Sequence, residues 1–184
     1  MTIKSVVKTA AVMLKKECAV KYLETNEVEQ DALETVDILT RCASLVINEL
    51  ACSYIPLVKE EEIVEENGKI YFSSLSDNPL KIIDVLGEEN QSVSFAHKPE
   101  YIVAKSKAKK IRYSYSPSNF NLEDKTGYLE SDVPERVIAY GVAAEYCLIV
   151  HAFTESVNFH KRFIESIEEI VKPKNFTTKG RVFI

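Results

Sequence analysis

Apolar residues recur every three or four positions near the start of the chain, which is the spacing of one face of an α-helix. Between residues 3 and 24 this stripe includes Ile3, Val7, Ala10 and Leu14, with lysines on the opposite side. The spacing therefore predicts one helix over residues 3–24.

A second apolar stripe follows a break at Thr25 and Asn26. Asn26 with Glu29 three residues later resembles a capping box, the side-chain pair that starts many helices. Pro56 disfavours helical backbone at and before its position, so this helix should end shortly before it. The pattern predicts a second, longer helix over residues 27–54, antiparallel to the first.

Between residues 55 and 115 the helical spacing is replaced by short runs rich in Val, Ile, Tyr and Phe, separated by turns. Such runs are typical of β-strands. Asn67 and Gly68 predict a hairpin, because both residue types tolerate the positive φ of a tight turn. Apolar and polar residues alternate from Ile111 to Tyr115, which predicts a strand with one apolar face. The region as a whole predicts a small antiparallel sandwich or barrel.

Two further helices are predicted after a turn-rich connector at residues 116–131. Asp132, followed by Pro134 and Glu135, resembles a helix start with Asp132 as the N-cap. The run that follows, from Val137 to Val150, is apolar on almost every side, so this third helix should be buried at the centre of the fold. A fourth, amphipathic helix should end at Pro173.

These elements predict an α+β fold with a four-helix core, an inserted antiparallel β domain and an extended C-terminal arm. The predicted divisions are a helical core of residues 1–54 and 132–172, a β insert at 55–115, the connector at 116–131 and the arm at 173–184. Each helix pair can bury only one face by itself, so the two pairs should pack together.

Charge and composition argue against several classes of protein. The chain has 184 residues, with 23 Lys and Arg against 28 Asp and Glu, and a net charge of −5. Binding nucleic acid as a main role needs a basic excess, which this chain lacks. No apolar run reaches the ~18 residues of a membrane span, and the lysine-containing N-terminus has no secretion-signal core. We therefore expect a protein that acts without secretion and without a membrane.

The four cysteines and three histidines form no recognisable site in the sequence. The cysteine spacings match no zinc pattern. A catalytic thiol needs a partner base, and His151 and His160 are out of register on a helix. Phosphate-loop, H-E-x-x-H and G-x-S-x-G motifs are also missing from the sequence. We expect no enzymatic activity, no metal and no cofactor.

Several stretches of the chain resemble one known group of proteins. The longest is PERVIAYGVAAEYCL at residues 134–148, followed by a helix rich in Phe, Lys and Arg at 159–167. Residues 43–57 and 68–75 show the same likeness. Together they resemble the head-to-tail connector proteins, also called adaptor or neck proteins, of tailed bacteriophages and prophages. The resemblance covers most of the chain and implies a helical bundle with a β insert.

The resemblance implies a structural role in the virion. Members of this family commonly form a dodecameric ring beneath the portal protein and join the capsid to the tail. The implied partners are the portal protein, tail or neck proteins and copies of the chain itself, with DNA only as passing cargo in the channel. The implied location is the virion neck, with the host cytoplasm as the location before assembly.

The C-terminal arm is the candidate partner-binding segment. It is basic, contains no acid and ends in three apolar side chains. The residues predicted to dock on the portal are Phe176, Lys179, Arg181, Val182, Phe183 and Ile184. Burying each apolar side chain at the end of the arm would contribute about 1.5–3 kcal/mol. A frayed terminus is the alternative interpretation of the same segment.

Two charged runs each allow two interpretations. The basic run at residues 105–112, beside Tyr113 and Tyr115, predicts either a solvated hairpin turn or a nucleic-acid patch with stacking tyrosines. The acidic run at residues 59–66 predicts either a solvated strand edge or, in a ring, an acidic channel lining.

Two other functions stay open from the sequence. One is a bacterial helical protein-binding or regulatory module with no virion role. The other is a nucleic-acid-associated phage protein, against which the net charge of −5 argues.

Overall fold

The structure is a computed structural model that describes residues 1–25, 30–65, 68–117 and 119–172. These residues form five α-helices and six β-strands, so the mixed α+β class is confirmed. The helices are α1 (Ile3–Met13), α2 (Glu17–Thr25), α3 (Gln30–Glu49), α4 (Glu135–Ile149) and α5 (Phe153–Val171). The strands are β1 (Leu57–Glu62), β2 (Lys69–Tyr71), β3 (Pro79–Leu86), β4 (Phe95–His97), β5 (Tyr101–Ala104) and β6 (Lys110–Tyr115).

The first predicted helix is in fact two helices. The chain turns between α1 and α2, where Lys15 has a φ of 56°. The turn brings α2 into contact with both α1 and α3, and Ala19 and Leu23 of α2 are buried. The single helix predicted over residues 3–24 is therefore wrong. Apolar spacing continues across the turn because both helices bury residues in the same core.

The long second helix is confirmed over its described part. α3 continues into one π-helical turn at Leu50–Tyr54, so helical backbone ends just before Pro56, as predicted. The predicted capping box of Asn26 and Glu29 lies outside the described residues. The four-helix core is not confirmed, since the N-terminal part alone contributes three α-helices.

α4 is the central buried helix, as predicted, with ten of its fifteen residues buried. Its N-terminus differs from the prediction, since Asp132 is not the cap. The carboxylate of Glu130 instead accepts the backbone N–H of Glu135 at 3.1 Å. The carboxylate of Asp132 accepts a hydrogen bond from the hydroxyl of Ser131, one residue earlier. The acid whose carboxylate meets the N-terminus of α4 is therefore Glu130, which lies two residues before the predicted Asp132.

The strands form two three-stranded antiparallel sheets, ordered β1-β6-β3 and β2-β5-β4. Side chains from both sheets share one apolar cluster, which includes Ile70, Ile102, Ile111 and Tyr113. This cluster is distinct from the apolar cluster that holds the helices together. The predicted small antiparallel β region is therefore confirmed.

The hairpin predicted at Asn67 and Gly68 is wrong. The flanking strands β1 and β2 lie in different sheets, and β1 pairs along its whole length with β6. Gly68 does have the positive φ that the turn signal predicts, at 77°, while Asn67 lies outside the described residues. A turn signal describes local backbone only, whereas the pairing of β1 is set by a strand about fifty residues away in sequence.

The connector packs against the helical core. In residues 116–131, the carbonyl of Asp124 accepts the backbone N–H of Ile3 at 2.9 Å. Tyr128 is buried, and its hydroxyl donates to the carbonyl of Ile55 at 2.7 Å, just before β1. These bonds fix the junction between the helices and the sheets.

Candidate functional site

The residues predicted to dock on the portal lie outside the described part of the chain. They are Phe176, Lys179, Arg181, Val182, Phe183 and Ile184, all within the arm at residues 173–184. The structure therefore does not test the docking role of the arm, which stays a prediction. The described surfaces that remain are those of the helical core and of the two sheets.

A group of exposed apolar side chains lies at the turn between α4 and α5, and we call it the apolar tip. It consists of five large side chains that are 45 to 67% exposed: Leu148, Ile149, Val150, Phe153 and Val157. Contiguous exposed apolar side chains on a folded domain mark sites that contact other molecules. The apolar tip is therefore the leading candidate for a docking surface.

Local backbone structure explains why the apolar tip is exposed. α4 ends in a turn where His151 has a φ of 61° and the N–H of Ala152 donates to the carbonyl of Cys147 at 2.8 Å. The hydroxyl of Ser156, which is buried, donates to the carbonyl of Ala144 at 3.0 Å and fixes the start of α5 against α4. The sequence interpretation placed residues 148–150 in the buried helix, which is wrong. Their apolar run extends past the point where neighbouring helices cover α4.

Lysines surround the neighbouring α1–α2 turn, and we call Lys15, Lys16 and Lys21 the basic rim. The ammonium of Lys16 lies 5.4 Å from the ring centroid of Tyr146, near the end of α4. The turn is thus at the same end of the core as the apolar tip. None of these three lysines forms an ion pair with a residue in the described ranges. The adjacent Val12 is also exposed.

A second apolar surface is a groove of about 940 Å³ along α3, which we call the α3 groove. Its floor is formed by side chains of α3 between residues 33 and 48, and its walls include Tyr22 and residues 119–123. The backbone N–H of Phe120 donates to the hydroxyl of Ser44 at 3.2 Å, which fixes one wall to the floor.

The α3 groove combines exposed leucines with charged side chains. Leu33 and Leu45 are 39 and 58% exposed on its floor. Asp37 and Arg41 form an ion pair at 2.8 Å, and Glu123 adds a second acid at the wall. The floor of the groove is therefore mixed, because the Asp37–Arg41 ion pair lies on α3 between the two leucines.

A third feature is a pair of exposed arginines that lie over the buried ring of Tyr140. The guanidinium carbons of Arg136 and Arg162 lie 5.3 and 5.9 Å from the ring centroid of Tyr140. Phe159 packs nearby, with its ring centroid 6.4 Å from that of Tyr140. Arg is among the residue types enriched in the strongest contacts of interfaces. The two exposed arginines on α4 and α5 are therefore a candidate contact surface, which we call the arginine face.

Two of the five basic residues in the run at 105–112 pair with acids of a neighbouring loop and strand. Lys107 contacts Glu88 at 2.7 Å, and Lys110 contacts Glu60 at 3.1 Å. Tyr113 is completely buried and cannot stack on a nucleic-acid base. The interpretation of this run as a nucleic-acid patch loses one of its two stacking residues, and the solvated-turn interpretation gains support.

The acidic run carries a hydrogen-bond network at the edge strand β1. The carboxylate of Glu61 accepts the hydroxyl of Tyr113 and, at 2.9 Å, the hydroxyl of Ser76. Desolvation raises the pKa of Glu61, but these hydrogen bonds outweigh it and hold the pKa below its usual value. Lys59 pairs with Asp77 at 2.8 Å beside it. The network holds β1 to the turn before β3, so Glu61 and Asp77 stabilise this edge of the sheet.

The cysteines Cys18, Cys42, Cys52 and Cys147 are all free thiols, and two of them are buried. Burial, with a further contribution from Glu145, raises the pKa of Cys42 to about 12. Burial also raises the pKa of Cys147. A thiol that stays protonated is a poor nucleophile. Within the described ranges, no cluster of three or more His, Cys, Asp or Glu side chains is suited to hold a metal ion.

We predict a Cys42-dependent loss of stability at alkaline pH. The unfolded thiol ionises near pH 9.0 and the folded thiol near pH 12, so this stabilisation is complete below pH 9 and is lost towards pH 12. At about 1.4 kcal/mol per pH unit, the full loss is roughly 4 kcal/mol. Thermal melts across this window should fall less steeply for Cys42→Ala than for the parent chain.

A matched control for this measurement is Cys52→Ala, because Cys52 is exposed. Its melts should follow the parent chain across the alkaline window. Equal slopes for Cys42→Ala and the parent chain would contradict the assignment.

No protein-family model matches the chain, and no curated protein matches it significantly. Within the described part of the chain, no helix is both long enough and apolar enough to cross a bilayer. The interpretation of the site therefore rests on the apolar tip, the α3 groove and the arginine face, which are candidate contact surfaces among the described residues.

Proposed function

We propose that the protein is a structural virion protein, a head-to-tail connector subunit that forms a ring beneath the portal and joins the capsid to the tail. The observation that carries the proposal is the apolar tip, whose five large side chains are 45 to 67% exposed on a well-packed helical core. The resemblance of residues 134–148 to connector proteins adds support, because α4 is the helix on which the core is built. The role requires neither catalysis nor a cofactor.

In this proposal each part of the fold has a separate task. The helices of each subunit form one helical core, and contacts between the cores of neighbouring subunits form the ring. The β insert points outward or toward the tail, and the arm at residues 173–184 docks on the portal. The partners are the portal protein, tail or neck proteins and other copies of the chain, while DNA passes through the channel. The protein is in the host cytoplasm first and then in the virion neck.

The proposed mechanism is geometric. One subunit makes only weak contacts with its neighbours, and the portal ring supplies a template that holds many subunits together. Contacts repeated around a closed ring reinforce one another, because each bound subunit raises the effective concentration of the next contact. Burial of the three apolar side chains at the end of each arm adds to the binding free energy of these contacts.

We predict that the full-length chain captures a portal protein and that a chain truncated after Pro173 does not. The truncation removes all six predicted docking residues and leaves the five helices intact. The measurement is a tagged pull-down from cells carrying the whole locus, with partners identified by mass spectrometry. Capture by both chains would support the connector role and reject the docking arm. Capture of neither portal nor tail proteins would reject the connector role.

The alternative function is a bacterial helical protein-binding or regulatory module. The apolar tip favours it as well, since such a surface fits any partner with a complementary apolar face. This alternative predicts one defined host protein in the same pull-down and no portal protein. The two functions therefore give different partners in a single measurement.

A further inference from the structure

We propose that the arm at residues 173–184 folds back onto its own subunit and places the ring of Phe176 in a groove at the end of α5. The groove, which we call the α5-end groove, has a volume of about 460 Å³ and opens to solvent. It is lined by residues from three parts of the chain: Ile55, Ser131, Asp132, Pro134, Ile170 and Val171. The contact does not require the connector role, because it assigns a position to the arm before any partner binds.

The first argument is where the arm begins. Ile170 and Val171, in the last turn of α5, form one wall of the groove, and the arm begins two residues after Val171. Lys172 has extended backbone, with a ψ of 128°, so the chain leaves the helix at this point. Phe176 follows Val171 by five residues, and five extended residues span at most about 17 Å. The groove therefore lies within reach of Phe176.

The second argument is the apolar lining of the groove. Val171 is 53% exposed, and Ile55, Pro134 and Ile170 are half-buried. Ile55 precedes β1 and Pro134 precedes α4, so the end of α5 lies beside the junction between the helices and the sheets. An aromatic ring in this groove would remove apolar surface from water on both the ring and the walls. Phe176 is the aromatic residue of the arm nearest to α5 in the sequence.

The third argument is charge. Asp132 is the one charged residue among those that line the groove, and Glu130 lies two residues before it. Neither acid forms an ion pair with any residue that the structure describes. The arm carries Lys174, Lys179 and Arg181 and no acid. Opposite charges on the groove and the arm therefore favour their contact.

The fourth argument is that the arm is tethered beside the groove. A segment joined by a short linker has an effective concentration in the millimolar range at a neighbouring site. A separate partner needs that concentration or a stronger contact to replace it, so the arm of the same subunit is the favoured occupant. In a connector, the portal would compete with the groove for Phe176, and the arm would be released on the portal.

Tryptophan fluorescence tests the contact directly, because the chain contains no tryptophan. The substitution Phe176→Trp places a single indole at the proposed contact. In the purified full chain, its emission maximum should lie at a shorter wavelength than in a peptide of residues 173–184 that carries the same substitution. The difference should not change with protein concentration, because the arm binds its own subunit.

A matched pair of further substitutions on α5 locates the contact. Val171→Lys should move the emission to that of the peptide, because it removes an apolar wall and repels the basic arm. A lysine in the last turn of a helix interacts favourably with the helix dipole, so this variant should fold. Val157→Lys changes an equally exposed type of residue fourteen positions earlier on the same helix and should leave the emission unchanged. Asp132→Lys, in a different part of the groove lining, should act like Val171→Lys.

Three results would overturn the proposal. The first is a Phe176→Trp chain whose emission matches that of the peptide. The second is an emission that Val171→Lys leaves unchanged, which would place the indole elsewhere on the surface. The third is a shift that grows with protein concentration, which would place the indole on a second copy.

The portal pull-down separates this inference from the proposed function. If the emission is shifted and depends on Val171 while the full chain captures no portal protein, the contact stands and the connector role fails. If the emission matches that of the peptide while the full chain captures the portal, the connector role stands and the contact is overturned.

Discussion

Replacing Gly141 with valine is expected to cost about 3 kcal/mol or more of folding free energy. A Cβ atom at this position would lie 2.7 Å from Cγ1 of Val46 and 3.0 Å from Cε2 of Phe163. Both neighbours are about 1% exposed, so neither can move into solvent. Overpacking of a filled core costs about 1–3 kcal/mol per site, and the branched valine adds two methyl groups to the clash.

Alanine at the same position separates packing from helix propensity. At an open helix position Gly→Ala would stabilise by about 1 kcal/mol, because glycine is a poor helix former. At Gly141 the close approach of α3 and α5 should reverse that sign. Urea unfolding followed by circular dichroism measures both variants. A Gly141→Val chain as stable as the parent would show that α3, α4 and α5 do not pack this closely.

Replacing Phe163 with alanine is expected to cost about 3–5 kcal/mol, the usual range for removing a buried aromatic ring. Phe163 is among the largest fully buried side chains, and it fills the space between α5 and the small surface of Gly141. The same urea titration measures the loss. Because native domains are stable by only about 5–15 kcal/mol, this one change should shift the midpoint strongly.

Phe153→Ala provides a matched control, since Phe153 is the same residue type at the exposed start of the same helix. Surface substitutions usually change stability by no more than about 0.5 kcal/mol. A similar loss for both phenylalanines would contradict the placement of Phe163 in the core and of Phe153 on the apolar tip.

Local signals in the sequence predict the helices and strands of this fold better than they predict which strands pair and where helices turn. The burial of most of α4 was predicted correctly, because an apolar surface all round a helix has only one stable location, the interior. The pairing of β1 with β6 could not be predicted, because it depends on contacts such as Glu61 with Tyr113 that lie 52 residues apart. The turn at Lys15 lacks the Gly or Pro that usually marks a break, so the sequence predicts a continuous helix there.

The candidate surfaces were also only partly predictable. The apolar run at Leu148 and Ile149 is visible in the sequence, but its exposure depends on where neighbouring helices stop covering α4. One wall of the α3 groove is fixed by a hydrogen bond between Phe120 and Ser44, which lie 76 residues apart in the sequence. The predicted docking residues of the arm, such as Phe183, lie outside the described residues, so their role stays a prediction.

The most direct test of the connector role is to mix the purified chain with the purified portal ring encoded at the same locus and image the product by electron microscopy. The proposed function predicts an added ring of density on one face of the portal, bound with the arm at residues 173–184 present and lost when the arm is removed. A portal ring that looks the same with and without a large excess of the full-length chain would contradict it.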